Sequence, residues 1–132
     1  MRVLALDHGS ARCGAAISDP SGTLATPLRA VERPDTKNGL AAVARLAEES
    51  GAERIVVGLP LTLAGEEGEQ ALKARTFAER LAGKVSIPVA LHDERMTTRL
   101  AERTGGQGDA DSRAAAHLLE SYLARAGASA RQ

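Results

Sequence analysis

Little in this chain is aromatic, sulfur-bearing or of one dominant charge. Among its 132 residues only Phe77 and Tyr122 are aromatic and tryptophan is absent, too few for a platform that stacks unpaired bases. The core must then be built from Leu, Val, Ile and many alanines, which suits close packing of helices on a sheet. Cys13 is the only cysteine, so no intrachain disulfide can form and nothing points to an oxidising compartment. The 17 basic and 17 acidic residues cancel. Bulk charge therefore attracts no polyanion, and a nucleic acid or anionic surface would have to be held by a local basic stripe. No apolar run approaches the roughly 20 residues of a membrane span, and Met1-Arg2-Val3 enters a strand-like segment without a signal-peptide apolar region. One soluble, cytoplasmic domain is expected over residues 1–126, with 127–132 a frayed tail. The length leaves no room for a second full domain.

The apolar positions set out an α/β order. Val3 to Leu6 is an unbroken apolar run of the kind buried on both faces of a sheet. Cys13, Ala15 and Ile17 then alternate with Gly14, Ala16 and Ser18, and Ser18-Asp19-Pro20-Ser21-Gly22 supplies turn chemistry into a third strand near Leu24 to Val31. The period next becomes helical. Leu40, Val43, Ala44 and Ala47 share a face that ends at Ser50-Gly51, and Ala74, Phe77, Ala78 and Leu81 repeat the pattern before Gly83. Between and after these helices, Ile55 to Gly58 and Ile87 to Leu91 read as short strands. A short helix is expected from about Thr97 to Thr104, and a last helix carries Ala115, Leu118, Leu119, Tyr122 and Leu123 on its apolar face. The order βββαβαβαα predicts a five-stranded mixed sheet: strands 1–3 antiparallel, strands 1, 4 and 5 parallel, helices on both faces.

In such sheets ligands gather beyond the carboxyl ends of the parallel strands. Strand 1 ends at Asp7, strand 4 at Gly58-Leu59-Pro60 and strand 5 at Asp93-Glu94. Asp111 lies four residues before Ala115, on the buried stripe of the last helix, where a carboxylate is costly unless a cation, donors or a helix end compensates it. A capping role for Asp111 or Asp109 accounts for the same position. Together Asp7, Asp93 or Glu94, and Asp111 form an all-oxygen set suited to Mg²⁺ or Mn²⁺, and two such ions can clamp the attacking and leaving oxygens of a phosphodiester. Zinc is disfavoured, because Cys13, His8, His92 and His117 have no metal-ligand spacing. His8 and His92 lie near the same edge and are weak candidates for proton transfer. Arg95, Arg99 and Arg103 recur every four residues beside the acids, and Arg12 follows Asp7 closely. Such a stripe can track phosphates or can be a solvated helix face. No P-loop or GxGxxG spacing is present.

Leu6-Asp7-His8-Gly9 with Gly14 and Ser18-Asp19, Val56-Val57-Gly58-Leu59-Pro60 with Gly65, Asp93-Glu94-Arg95-Met96-Thr97-Thr98, and Asp111 with Ala114-Ala115 together resemble the YqgF-type family. That family is also known as Holliday junction resolvase-like and as a pre-16S rRNA nuclease. The resemblance covers almost the whole chain, and the Asp-Glu-Arg-x-Thr-Thr run is its most specific element. It implies an RNase H-like fold, metal-dependent phosphodiester cleavage, and maturation of the 5′ end of 16S rRNA. Carried over residue by residue, the acidic positions fall on Asp7, Glu94 and Asp111, as catalytic residues and metal ligands. Arg12, Arg95 and Arg99 are the substrate-binding candidates. Residues 105–109 lack the lysines often found in the family before the last acid, and Cys13 replaces a larger aliphatic residue.

Three functions follow as expectations. The leading one is a hydrolase in which Asp7, Glu94 and Asp111 hold Mg²⁺ or Mn²⁺ and water attacks phosphorus, acting on precursor 16S rRNA within a pre-ribosomal particle. Resolution of branched DNA is less favoured, since resolvases of this fold use more basic surfaces. A non-catalytic RNA-binding or ribosome-precursor-binding module is the second class. Phosphotransfer of the sugar-kinase type is the third, and it needs a second domain that this length excludes.

Overall fold

The unbroken apolar run at the start of the chain lies at the centre of the sheet. In a computed structural model that describes residues 1–62, 64–93 and 110–130, strand β1 (Val3–Asp7) is flanked by β2 (Arg12–Ser18) and β4 (Arg54–Leu59). Val3, Leu4, Ala5 and Leu6 are buried, alternating between the two faces. Strand β3 (Ala25–Glu32) closes one side and β5 (Val89–Asp93) the other, giving the order β3-β2-β1-β4-β5. The pairs β1–β2 and β2–β3 are antiparallel, and β1–β4 and β4–β5 are parallel, as the alternation and crossover rules predicted.

Helices α1 (Lys37–Glu49) and α2 (Glu69–Ala82) cover one face, packing Leu40, Val43, Phe77 and Leu81 on Leu4, Leu6, Cys13, Ala15, Ile55 and Val57. Helix α3 (Ala110–Ala130) covers the other, with Ala115, Ala116, Leu118 and Leu119 on Val3, Ala5, Ala16 and Val56. Each strand residue serves the layer that its parity dictates. The helix ends follow local chemistry. Thr36 caps α1 by accepting from the Gly39 amide at 3.0 Å, and Gly51, at φ 73°, takes the left-handed conformation that ends it. In the β2–β3 turn, Ser21 and the amides of Leu24 and Thr23 donate to the Asp19 carboxylate and hold its pKa well below the usual range.

Two boundaries differ from expectation. Strand β5 begins at Val89 instead of Ile87, because Pro88 has no N–H to give the ladder; its carbonyl still accepts from Ile55 at 2.9 Å. The backbone of α3 stays helical to Ala130, through part of the expected frayed tail. The short helix expected over 97–104 lies outside the described residues. Among the described residues no helix is long and apolar enough to cross a membrane.

The contact that fixes α3 is unusually close. A Cβ placed on Gly14 of β2 would lie 1.9 Å from the Asp111 carbonyl oxygen and 2.9 Å from the Ser112 amide nitrogen. Only a residue without a side chain admits the first turn of α3 here. One residue on, the buried Ser112 hydroxyl accepts from the Ala15 amide at 3.4 Å. Farther along, Arg54 donates to the Tyr122 hydroxyl at 2.8 Å. Gly14→Ala should therefore destabilise the fold by about 2–3 kcal/mol, the upper part of the range for overpacking. The clash is with backbone, which cannot rotate away, so it outweighs the roughly 0.5–1 kcal/mol that alanine ordinarily gains over glycine. A urea midpoint equal to that of the parent chain would contradict this close approach.

Candidate active site

Alternation along β1 places Asp7 on the same face as Val3 and Ala5, the face that α3 covers. Asp7 pairs in register with Gly14, and Gly14 is the residue against which the Asp111 backbone lies. Two acids more than a hundred positions apart are thus brought to one corner of the sheet. Helix α3 begins at Ala110, so Asp111 sits inside its first turn, where the helix dipole favours negative charge. The possible cap at Asp109 lies outside the described residues.

Arg12, at the start of β2, reaches the same corner. Its Nε lies 3.3 Å from Asp111 Oδ2, with the two side chains 59% and 41% exposed. A pair this exposed contributes about 0–1 kcal/mol and exchanges partners readily. In this structure Arg12 is paired with Asp111.

The thiol of Cys13 registers the local field. It is fully buried beneath α1 and α2, and its pKa is driven far above the ordinary thiol range, first by burial, then by the charges of Asp7, Asp35 and Asp111. Three carboxylates from separate segments therefore act on one buried atom. Asp35 is the member that sequence reasoning missed. It lies in the short loop between β3 and α1 and holds His8, whose Nε2 is 2.8 and 3.0 Å from the two carboxylate oxygens. The His8 side chain is 1% exposed, its ring lies 4.9 Å from that of Phe77, and its buried Nδ1 has no partner among the described residues. A buried imidazole after a strand end requires a partner, but no spacing rule identifies one 27 positions away.

The remaining candidates divide clearly. Asp93 ends β5, paired with Leu59, and alternation puts it on the face of Leu91, toward α1 and α2 and opposite Asp7. His92 turns to the α3 face but is occupied there: its Nε2 lies 3.1 Å from the Ser121 hydroxyl and its ring stands edge-on to Tyr122. Ser121 is ten positions along α3 from Asp111, about 15 Å at the helical rise. Burial, then the charge of Arg125, lowers the His92 pKa. Proton transfer by His92 at this corner is not supported. Glu94, Arg95 and Arg99 lie outside the described residues. Among the described residues no group of three His, Cys, Asp or Glu side chains is close enough to hold a metal ion.

Burial and the surrounding carboxylates together suppress the Cys13 thiolate, the reactive form. In the folded protein Cys13 should resist alkylation by iodoacetamide at pH 8 for hours and react fully once urea unfolds the chain. Rapid modification without urea, read by mass spectrometry, would contradict the burial of Cys13 beneath α1 and α2.

Comparison with known proteins places this geometry. The family model described as "RuvX: Holliday junction resolvase" matches residues 1–125. A protein of Nocardioides sp. is 47% identical over 135 residues, covering 91% of this chain and 85% of its own length. One of Chloroflexus aurantiacus is 40% identical (92% and 85% covered), and one of Moorella thermoacetica is 38% identical (96% and 97% covered). All three carry the name "Putative pre-16S rRNA nuclease". Among solved structures, Thermus thermophilus RuvC in complex with a Holliday junction substrate superposes with a TM-score of 0.59 at 18% identity over 96% of each chain. The fowlpox virus Holliday junction resolvase gives 0.57 at 14% identity, covering 95% of this chain and 99% of its own. At these identities the structural likeness establishes the fold, which is the RNase H type of the RuvC-like resolvases. The match along nearly the whole length, together with the close relatives, shows that the chain belongs to the RuvX family.

Proposed function

We propose that this chain is a divalent-metal-dependent nuclease that hydrolyses phosphodiester bonds at the Asp7–Asp111 corner, with precursor 16S rRNA as its substrate. The observation that carries the proposal is the convergence of Asp7 and Asp111 on the α3 face, enforced by the seat of α3 on Gly14. The names of the relatives support the RNA substrate.

The donor chemistry fits a hard cation. Asp7 and Asp111 offer only oxygens, they come from two rigid elements, and Asp111 is already matched to a positive group, Arg12. Glu94 is the third ligand in this reading. Support for Glu94 over Asp93 comes from β5, whose alternation turns Asp93 to the face away from Asp7 and Asp111. A divalent ion held there would supply Lewis-acid stabilisation of phosphoryl oxygens and a more acidic water. The chain contributes orientation. Asp7 is fixed by the ladder at the sheet centre, Asp111 by the first turn of α3, and Arg12 stands beside them to meet a phosphate oxygen once Asp111 has another cation. Arg95 and Arg99 extend that contact along the substrate. His8 sits on the opposite face, and its bond to Asp35 anchors the turn after Asp7 without reaching the scissile group.

The test is cleavage of a 5′ precursor fragment of 16S rRNA, beside a four-way DNA junction, by purified protein with Mn²⁺. Asp7→Asn and Asp111→Asn should each reduce RNA cleavage at least about 100-fold, because the interaction removed acts on charge that develops in the transition state. Cleavage by Asp7→Asn equal to the parent would sink the assignment. Cutting of the junction in place of RNA would keep the site and replace the substrate.

A further inference from the structure

Outside the acidic corner, an open groove of about 850 Å³ runs between the edge strand β3 and helix α1. Arg29, Arg33 and Arg45 line it, together with Leu46, Glu32 and Glu49. All three arginines are exposed, and among the described residues their guanidinium groups make no ion pair or hydrogen bond. Five other cations are engaged: Arg12 with Asp111, Arg54 with Tyr122, Lys73 with Glu69, Arg75 with Glu67, and Arg80 with the Asp35 carbonyl. Set against Glu32 and Glu49, the three guanidiniums leave the groove one positive charge in excess on a chain with no net charge.

The groove lies on the face that α1 covers, opposite the face of Asp7 and Asp111, and reaches the same end of the sheet around its β3 edge. The Arg33 amide donates to the Ala11 carbonyl at 2.9 Å, and Glu32 pairs in register with Arg12. Arg33 therefore stands at the end of the sheet where Asp7 and Asp111 meet, and Arg29 and Arg45 lie farther along. The backbone there is shaped. Arg33 holds φ at 47°, a conformation a non-glycine residue rarely takes, which costs on the order of 1 kcal/mol or more. The ladder passes from Cys13↔Val31 to Ala15↔Leu28, so Arg29 and Ala30 together oppose Gly14 alone. Such a bulge re-aims the side chain it carries.

We propose that this groove holds the phosphodiester backbone of single-stranded RNA leading away from the scissile bond. The proposal deepens the nuclease reading and rests on it for the location of that bond. With few aromatics available, the grip is electrostatic and indifferent to sequence. Guanidiniums meet phosphate oxygens in a forked geometry, which is why arginine suits this role. An extended peptide added to the β3 edge is the competing occupant, and it gives the three arginines no common task.

Fluorescence anisotropy tests the groove directly. The probe is a labelled single-stranded 12-nucleotide RNA, bound to the Asp7→Asn chain in EDTA so that it stays intact, across 50–200 mM salt. Adding Arg29→Gln, Arg33→Gln and Arg45→Gln should weaken binding about tenfold or more at 50 mM. The slope of log affinity against log salt should become shallower by about 2, from about 0.7 per phosphate contact on a single strand. The pair Arg29→Gln and Arg45→Gln, which leaves the turn at Arg33 untouched, should move the slope by about 1.4. Lys84→Gln with Arg125→Gln removes two charges elsewhere and should leave the slope nearly unchanged. Equal affinity and slope in the groove variants, an equal loss in the Lys84 and Arg125 control, or no RNA binding by either chain would overturn the proposal. A parent chain that binds through the groove yet cuts nothing would remove the nuclease reading while supporting the groove. Cleavage with groove-independent affinity would remove the groove alone.

Discussion

The approach of α3 to Gly14 is the constraint on which the rest of the site depends. Gly14 lies between three features: it pairs with Asp7 on β1, it opposes the two-residue bulge of β3, and the carbonyl of Asp111 occupies the space its side chain would take. A side chain there would lift the first turn of α3 from the sheet and carry Asp111 away from Asp7. Packing holds the approach. Ala5 and Ala16 are small enough for Leu118, Leu119 and Ala115 to settle on the sheet, and the Ser112 hydroxyl satisfies an otherwise buried amide of β2. The acids are thus set by the core and not by their own attraction, since two carboxylates alone repel.

That repulsion gives the corner its chemistry. Asp7, Asp35 and Asp111 act together on the Cys13 thiol, so their fields overlap. In the structure described here the load is shared with cations and donors: Arg12 for Asp111, His8 for Asp35. The exposed Arg12 contact is weak and exchangeable, while the His8–Asp35 contact is shielded on the His8 side. One pair is suited to yield to a ligand and the other to hold the turn behind Asp7 in place. Zero net charge therefore conceals an uneven distribution, with acids at one corner on the α3 face and arginines outnumbering acids in the groove on the α1 face.

Periodicity made most of the fold legible. The burial of Val3 to Leu6, the alternation from Cys13 to Ile17 and the stripes led by Leu40 and Ala74 each appear in the expected element, because a residue's parity or phase decides which layer it serves. Asp7 and Asp111 were reachable for the same reason, one from a strand end and the other from helix phase. What stayed hidden depends on distance along the chain. Asp35 carries no periodic mark and acts only through a histidine 27 positions earlier. The partnership of Arg12 with Asp111 arises only once α3 is seated. Arg29, Arg33 and Arg45 share no repeat, since a bulge, a left-handed residue and a helix bring them to one groove. For the Asp93-Glu94 pair, β5 turns Asp93 to the face of Leu91, and Glu94 lies outside the described residues.

The central claim is that the seating of α3 on Gly14 builds one cation site from Asp7 and Asp111. An anomalous difference map from a crystal soaked in Mn²⁺ tests it most directly. The account predicts a peak between the Asp7 and Asp111 carboxylates, with Arg12 displaced from Asp111, and loss of that peak in Asp7→Asn. Saturating Mn²⁺ that leaves Arg12 on Asp111 and produces no peak between the two acids would contradict it.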